Sequence, residues 1–251
     1  MESNLEVLFA PAEFAALRGR DLSDIVCVVF DVLRATSSML TALANGASRI
    51  TPVCEISEAL EYHKTHPNAL LAGEREGLRI LRSQTGSVDF DLGNSPREFT
   101  ADRVSGCEIV ITTTNGTRAL KACIGARRIL ASGFLNLCAT AEAIRVENAP
   151  RLLIICAGTF EETAYEDTLA AGALCDLVWT QFADRRIADS AQIARQIYRV
   201  AGDDFSRAMQ YSRNARRLLA NPALRDDVAF CLQRDSLNFT AQMHDGAVVK
   251  L

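Results

Sequence analysis

An apolar run followed by a polar loop decides the fold: Ile25-Val26-Cys27-Val28-Val29 leads directly into Phe30-Asp31-Val32-Leu33-Arg34-Ala35-Thr36-Ser37-Ser38. A continuous run rich in β-branched residues is typical of a strand that is buried on both faces. The apolar segment from Met39 to Ala44 ends at Asn45-Gly46, which is typical of a short helix with a left-handed cap. The stretch therefore predicts a strand, a loop and a helix.

The loop places charged and hydroxyl side chains where open α/β sheets bind their ligands. Asp31 follows the strand, and Ser37 and Ser38 come near the start of the helix. A helix N-terminus favours an anion, and Arg34 adds a positive charge beside it. Because a carboxylate next to a bound phosphate or sulfonate needs a cation between them, Mg²⁺ is the expected cofactor. The alternative is that Asp31 only ends a strand and Ser37 only caps a helix.

Strand and helix patterns alternate along the rest of the chain, which is the rhythm of a parallel sheet with helices between its strands. Further strands are predicted at residues 5–9, 49–53, 69–72, 108–111, 128–131, 151–156 and 248–249, the last as an edge strand. Among the helices, we expect one that Ser57 caps, one that ends near Phe182 and one that Ser212 opens. The pattern predicts an α/β fold over residues 1–251, either as a single domain or as two similar lobes at about 1–130 and 131–251 around one crevice.

A second loop has the same construction as the first. The strand at residues 108–111 is followed by Thr112-Thr113-Thr114-Asn115-Gly116-Thr117 and then by a helix. Asn115, Gly116 and Thr117 therefore lie where a strand gives way to a helix N-terminus, which predicts a second anion site. The Walker A pattern is absent from this loop. Two loops of one kind favour a common crevice.

Two further segments offer charged groups to such a crevice. Arg75 follows a predicted strand within Gly73-Glu74-Arg75, although a salt-bridged turn is the likelier local interpretation. Arg213 follows the helix cap Ser212 and could contact an anion, whereas Arg216 and Arg217 have the pattern of solvated surface.

Acidic residues after the strand at 151–156 are the second candidate source of metal ligands. Glu162 and Glu166 share one helix face and Asp167 lies beside it. Like charges at that spacing repel one another unless a cation neutralises them. The alternative, that acidic residues in a first turn complement the helix dipole, is equally compatible with the pattern.

Composition excludes several classes of function. The net charge is −4 and there is no block of Lys and Arg, which argues against general nucleic-acid binding. No apolar run approaches the ~20 residues of a membrane span, and the acidic start lacks the features of a signal peptide. We therefore expect a cytoplasmic protein, with a homo-oligomer left open. The eight cysteines are scattered without a Cys-x-x-Cys motif, which is typical of reduced, buried thiols.

Taken together, these stretches resemble the 2-phosphosulfolactate phosphatase family over nearly the whole chain. The motifs that carry the resemblance are Asp31-Val-Leu-Arg-Ala-Thr-Ser, Gly73-Glu-Arg, Gly93-Asn-Ser-Pro, Thr113-Thr-Asn-Gly-Thr117, Cys156-Ala-Gly, Glu166-Asp167 with Ala171-Gly172, Ser212-Arg-Asn, and Asp226-Asp227 with Cys231. The resemblance implies a three-layer α/β/α fold and Mg²⁺-dependent hydrolysis of (R)-2-phospho-3-sulfolactate to 3-sulfolactate and phosphate, a step of coenzyme M biosynthesis. The chain departs from the family at Asp235-Ser236-Leu237-Asn238, which lacks Asp-x-Val-Pro.

The resulting hypothesis is a Mg²⁺-assisted phosphomonoester hydrolase that acts on a small anionic substrate. Asp31, with Glu166 or Asp167, would hold the metal, and the cationic and loop groups named above would bind the acidic groups, namely Arg34, Arg75, Arg213, Ser37, Ser38, Asn115, Gly116 and Thr117. A phosphatase of another acidic 2-phospho acid and a non-catalytic anion-binding or sensor protein are the alternatives. A haloacid-dehalogenase-type phosphatase is disfavoured because Leu33 stands where that motif requires a second Asp.

Overall fold

The computed structural model describes residues 3–202 and 204–251, and within them the chain forms one ten-stranded sheet. The strands are β1 (Leu5–Leu8), β2 (Ile25–Phe30), β3 (Arg49–Val53), β4 (Leu70–Arg75), β5 (Leu78–Arg79), β6 (Glu108–Thr112), β7 (Arg128–Ser132), β8 (Arg151–Cys156), β9 (Ala241–His244) and β10 (Ala247–Lys250). Every predicted strand is present, and β5 and β9 are additional. The prediction of a mostly parallel α/β fold is confirmed.

Twelve α-helices connect and cover the strands in the part of the chain that the structure describes. They are α1 (Pro11–Ala15), α2 (Ala35–Ala44), α3 (Ile56–Thr65), α4 (Arg82–Thr85), α5 (Ala101–Val104), α6 (Gly116–Ala122), α7 (Leu137–Glu147), α8 (Tyr165–Phe182), α9 (Asp189–Ala201), α10 (Phe205–Ala208), α11 (Arg213–Leu219) and α12 (Arg225–Cys231). No helix within these residues combines the length and the apolar character that crossing a bilayer requires.

Of two serines predicted to cap helices, one does so in the structure and the other does not. Ser212 caps α11 as predicted, because its hydroxyl oxygen accepts the Ala215 N–H at 2.9 Å. The prediction that Ser57 caps α3 is wrong. That helix begins at Ile56, because the Glu58 carboxylate reaches back to accept the N–H of the capping residue Glu55 at 2.9 Å.

The sheet consists of two parallel halves joined by an antiparallel hairpin. Strands β1, β8, β2 and β7 form one half and β3, β6 and β4 form the other, while β5 adds an antiparallel edge. The hairpin β9–β10 lies between them, with β9 antiparallel to β7 and β10 antiparallel to β3. The two halves therefore run in opposite directions across one sheet.

The prediction that Val248 and Val249 form an edge strand is wrong, because β10 is an interior strand. Val248 is fully buried and pairs with Ile50 on one side and Met243 on the other. The segment is short and follows a long helical region, so its pattern alone does not indicate that two strands would enclose it. The position in the middle of the sheet depends on β9, which the sequence analysis did not predict.

Helices on both faces of the sheet produce the three α/β/α layers. In β2, Ile25, Cys27 and Val29 face a layer that contains α2 and α6, and the alternating residues of the same strand face α7 and α8. The layer of α2 and α6 packs on both halves of the sheet, whereas α3 covers the outer face of the second half. Residues 35–43 of α2 are all buried, which is possible because most of them are small or apolar. This buried helix carries the loop that begins at Asp31.

Helices α8 and α9 approach closely because α8 has a glycine at their contact. A Cβ atom at Gly172 would overlap the Ala194 carbonyl oxygen of α9 and would lie 2.9 Å from the Tyr198 Cβ. We therefore expect Gly172→Ala to lower the free energy of unfolding by about 1–3 kcal/mol, even though alanine is the better helix former. Urea denaturation measures this change.

The matched control is Gln192→Ala on the exposed face of α9. Its stability should stay within about 0.5 kcal/mol of that of the unchanged chain. A Gly172→Ala chain as stable as the control would contradict the close packing of the two helices.

Candidate active site

The loop after β2 is shaped by hydrogen bonds between Asp31 and the first turn of α2. Asp31 Oδ1 accepts the Ala35 N–H at 3.0 Å, and the Asp31 carbonyl accepts the Thr36 N–H at 3.0 Å and its hydroxyl at 2.9 Å. These bonds satisfy N–H groups that a helix start leaves unpaired, so α2 begins at Ala35. Within the described residues, Asp31 Oδ2 accepts no hydrogen bond from the protein. One carboxylate oxygen is therefore left for a ligand.

Ser37 and Ser38 lie inside α2, and the structure does not direct their hydroxyls towards a ligand. Ser37 Oγ donates to the Val32 carbonyl and Ser38 Oγ donates to the Asn94 carbonyl, each at 2.8 Å. Both side chains are fully buried. They fasten the loop and a neighbouring segment to the helix, and their contact with an anion stays a prediction.

The second loop, after β6, lies directly against the first. A Cβ atom at Gly116 would lie 2.6 Å from Asp31 Oδ2 and 2.6 Å from the Ala35 Cβ, so only glycine fits. Strands β2 and β6 belong to opposite halves of the sheet, and the loops that follow them lead into α2 and α6, which pack in one layer. The structure thus brings Asp31 and Gly116 together.

Asn115 and Thr117 are fixed by this loop and by the segment after β8. Asn115 Nδ2 donates to the Ala157 carbonyl at 3.0 Å and to the Phe160 carbonyl at 2.7 Å, which leaves Oδ1 buried without a hydrogen-bond partner. Thr117 Oγ1 donates to the Thr113 carbonyl at 3.1 Å and is fully buried. Asn115 therefore has a free acceptor, whereas Thr117 stabilises its own turn.

Arg34 is held on two sides within the protein. Its guanidinium donates to Asp227 Oδ2 and to the Gly77 carbonyl, both at 2.7 Å, and the side chain is only 3% exposed. Asp227 is fully buried and accepts a further hydrogen bond from Ser95 Oγ at 2.7 Å. Because removing one partner of a buried ion pair leaves an unpaired charge, this contact fixes Arg34 firmly.

Glu74, and not its neighbour Arg75, reaches the site from β4. The Glu74 carboxylate accepts the N–H and hydroxyl of Thr114 at 2.8 and 2.9 Å and the Gly77 N–H at 2.6 Å. Arg75 points elsewhere and donates to the Glu74 carbonyl, the Cys54 carbonyl and Thr112 Oγ1. Adjacent side chains of a strand lie on opposite faces, so only one of the two can enter the site.

Glu166 and Asp167 are buried in the first turn of α8, and their oxygens are already engaged. Asp167 accepts the Val32 N–H at 2.8 Å and the Gly158 N–H at 3.0 Å. Glu166 accepts Ser212 Oγ at 2.6 Å and Asn214 Nδ2 at 3.3 Å. The two carboxylates thereby tie the loops after β2 and β8, and the start of α11, to α8.

A pocket opens between the ends of β2, β4, β6 and β8. Its walls are formed by Asp31, Leu33, Arg34, Glu74, Glu76, Gly77, Asn94, Thr114, Asn115, Gly158, Thr159, Phe160, Asn214 and Arg217. A second, neighbouring pocket shares Thr159 and Asn214 with it and contains Glu166 and Arg213. Arg213 forms an exposed ion pair with Glu162 at 2.6 Å.

Of the predicted site residues, the structure places Asp31, Arg34 and Asn115 in the wall of the first pocket. The sequence analysis missed Glu74, Asn94, Thr114, Asn214 and Arg217. A signal existed for four of them, since Glu74, Asn94, Thr114 and Asn214 belong to motifs quoted above. Arg217 lies outside those motifs and is three residues after Asn214 on the same helix face.

Burial in a cluster of carboxylates raises the pKa of Asp31 to about 7. Desolvation is the main cause, and the nearby charges of Glu74 and Glu166 add to it, while the Ala35 N–H and the Arg34 guanidinium oppose it. Burial likewise raises the pKa of Glu166 and, more strongly, that of Asp167. A bound cation would therefore offset the cost of ionising these buried carboxyls.

The described residues contain no group of three or more His, Cys, Asp or Glu side chains arranged to hold a metal ion. The oxygens available to a metal ion in the pocket belong to one carboxylate and two side-chain amides. Asp31 Oδ2 is joined in the pocket wall by Asn94 and Asn115, whose Oδ1 atoms are both buried and without a hydrogen-bond partner. Carboxylate and amide oxygens are hard ligands that Mg²⁺ accepts, usually with water and substrate phosphate completing its shell.

Comparison with known proteins shows which family the chain belongs to. The sequence model of the 2-phosphosulpholactate phosphatase family matches residues 14–246. The chain belongs to this family. It is 37% identical over 234 residues to a protein of Caldicellulosiruptor saccharolyticus, covering 92% of this chain and 93% of that protein. It is 38% identical over 232 residues to a protein of Pseudothermotoga lettingae, covering 92% of each. Both relatives are named "Probable 2-phosphosulfolactate phosphatase".

Membership confirms the resemblance inferred from the motifs and the prediction of a phosphoric monoester hydrolase. The family implies a small phosphorylated substrate. The wall of the pocket between the strand ends combines a buried carboxylate, two asparagines with unpaired amide oxygens and two guanidinium groups.

The raised pKa of Asp31 predicts how stability changes with pH when no divalent cation is present. The folded chain holds this proton up to about pH 7, whereas the unfolded chain releases it near pH 4. Stability that is present below pH 4 is therefore lost as the pH rises to 7. We expect Asp31→Asn in EDTA to match the unchanged chain at pH 4 and to be more stable at pH 8, by an amount on the order of a few kcal/mol.

Thermal unfolding at the two pH values measures this difference. Asp102→Asn is the control, because Asp102 is exposed and does not line the pocket. An equal shift in melting temperature at pH 4 and pH 8 for Asp31→Asn would contradict the assignment.

Proposed function

We propose that this chain is a Mg²⁺-assisted phosphomonoester hydrolase that converts 2-phospho-3-sulfolactate to 3-sulfolactate and phosphate. The observation that carries the proposal is the free Oδ2 of buried Asp31, which faces a pocket between the two halves of the sheet. Family membership and the names of the relatives support the same reaction. Hydrolysis of another acidic 2-phospho acid is the nearest alternative.

Asp31 Oδ2 and the Oδ1 atoms of Asn94 and Asn115 would hold the metal. They fit it because one carboxylate and two unpaired amide oxygens leave positions for water and phosphate oxygens. When bound, Mg²⁺ would neutralise charge on the phosphoryl group and orient the attacking water. Glu166 and Asp167, which the sequence analysis named as ligands, use their oxygens to hold the surrounding loops.

Further residues around the pocket hold these oxygens in position and exclude water from the site. Glu74 holds Thr114, and with it the start of the Asn115 loop, against the turn at Gly77. Leu33 and Phe160 provide apolar wall on two sides of the pocket. A preorganised, partly dry site strengthens the electrostatic contacts that a phosphoryl group makes.

Because several carboxylates line the pocket, a substrate with several acidic groups would bind there only together with a cation. Asp31, Glu74 and Glu76 line the wall together with two guanidinium groups, and one of these, Arg34, is already neutralised by Asp227. A phosphate placed beside three carboxylates would be repelled. This balance supports a metal-dependent reaction over simple anion binding.

The test is phosphate release from 2-phospho-3-sulfolactate in Mg²⁺ and in EDTA, with 2-phospholactate and 2-phosphoglycerate as comparison substrates. We expect turnover in Mg²⁺ only, and a loss of about 100-fold or more in Asp31→Asn. Asp102→Asn should keep full activity. Addition of Mg²⁺ should raise the melting temperature of the unchanged chain and should have less effect on Asp31→Asn.

The outcomes separate the candidate functions. Equal turnover of the three substrates would keep the reaction and broaden the substrate class. Undiminished activity in EDTA would contradict the metal. No phosphate release from any substrate, together with anion binding that survives in Asp31→Asn, would favour a non-catalytic binding protein.

Three further predictions from the sequence stay predictions. They are a cytoplasmic location, a role in coenzyme M biosynthesis and the expectation that the chain does not bind nucleic acid. Whether it forms a homo-oligomer is left open.

A further inference from the structure

Arg217 is the guanidinium of the pocket that the protein leaves available. It lies on α11, is exposed, and lines the pocket beside the turn at Gly77. Its two hydrogen bonds go to neutral oxygens, the Glu76 carbonyl at 3.2 Å and Asn214 Oδ1 at 3.0 Å. No carboxylate lies within salt-bridge distance of it among residues 3–202 and 204–251. Its charge is therefore not neutralised by the protein.

The other arginines near the site differ in this respect. Arg34 is buried against Asp227 at 2.7 Å, and Arg213 pairs with Glu162 at 2.6 Å. Arg75 lies outside the pocket wall. An anion that enters the pocket can thus gain a new charge-assisted contact from Arg217 at lower cost than from any of these, because no existing ion pair must break.

Asn214 fixes the position of Arg217. The Asn214 Nδ2 donates to the Leu33 carbonyl at 2.6 Å and to Glu166 Oε1 at 3.3 Å, so its Oδ1 is directed towards Arg217 one helical turn later. A guanidinium has five N–H donors, and these two bonds leave the others for a ligand. Arg217 is therefore a preorganised oxyanion contact.

We propose that Arg217 binds the sulfonate of the substrate and so determines its specificity. The proposal rests on the proposed function, which places the phosphoryl group beside Asp31. Asp31, Arg34 and Arg217 line the same pocket. Arg34 donates to the Gly77 carbonyl at 2.7 Å, and a Cβ atom at Gly77 would lie 3.1 Å from Arg217 Nη2. A substrate with its phosphate at Asp31 would therefore direct a second acidic group towards Arg217. The sulfonate, with three oxygens, matches the remaining N–H groups of the guanidinium.

The experiment compares Arg217→Gln with Arg216→Gln. Arg216 is the neighbouring exposed arginine of the same helix and is absent from the pocket wall. For each chain, kcat/KM is measured in Mg²⁺ for 2-phospho-3-sulfolactate and for 2-phospholactate, which keeps the carboxylate and lacks the sulfonate. We expect Arg217→Gln to lower the ratio of the two values by about 10- to 100-fold, mainly through KM, and Arg216→Gln to leave it unchanged.

An equal loss of kcat/KM for both substrates would overturn the proposal, because Arg217 would then contact the carboxylate or the phosphate. No loss for either substrate would overturn it as well.

A binding measurement keeps the proposal testable if the proposed reaction fails. Calorimetric titration with 3-sulfolactate and with lactate needs no turnover. Weaker binding of 3-sulfolactate to Arg217→Gln than to Arg216→Gln, without a matching change for lactate, would support a sulfonate site even in a chain that releases no phosphate. Equal binding of 3-sulfolactate by both variants would overturn it.

Discussion

The contact between Asp31 and Gly116 is the constraint on which the site depends. It joins a loop from each half of the sheet, and any side chain at position 116 would collide with the carboxylate and with Ala35. Because the two halves run in opposite directions, a flat sheet would place these loops at opposite edges. The loops meet because each leads into a helix of the layer of α2 and α6, which packs on both halves of the sheet. The fold and the site are thus consequences of one packing arrangement.

Burying acidic side chains so close together would be unfavourable if their oxygens had no donors. The structure supplies backbone N–H groups to Asp167 and Glu74, a hydroxyl and an amide to Glu166, and a guanidinium to Asp227. Each of these bonds also fastens one of the loops that line the pocket. Asp31 is the exception, since one of its oxygens remains free in the pocket. Asp31 thus differs from the carboxylates that hold the loops in place, and this difference is the basis for proposing it as the residue that contacts a ligand.

Local patterns predicted the elements of this fold better than the contacts between them. The strand, loop and helix around Asp31 follow from apolar runs and a cap, which are properties of neighbouring residues. Ser37 was placed at a helix N-terminus, but Asp31 itself satisfies the first turn and shifts the serine into the helix. Arg75 was preferred to Glu74, although strand geometry admits only one of them and the choice depends on Thr114, about forty residues away. A hydrogen-bond partner so distant along the chain cannot be recognised from a local sequence pattern.

The same limit applies to the two arginines of the pocket wall, Arg34 and Arg217. Arg34 stands in the most informative motif of the chain, yet its partner Asp227 lies almost at the other end of the sequence. Arg217 has the pattern of a solvated helix face, and only the fold shows that Asn214 directs it to the pocket. The wall of the pocket combines residues from both predicted lobes, from Asp31 to Arg217, and the hairpin β9–β10 joins the two halves of the sheet. Neither lobe alone would therefore contain the site, because the free carboxylate and the free guanidinium come from different lobes.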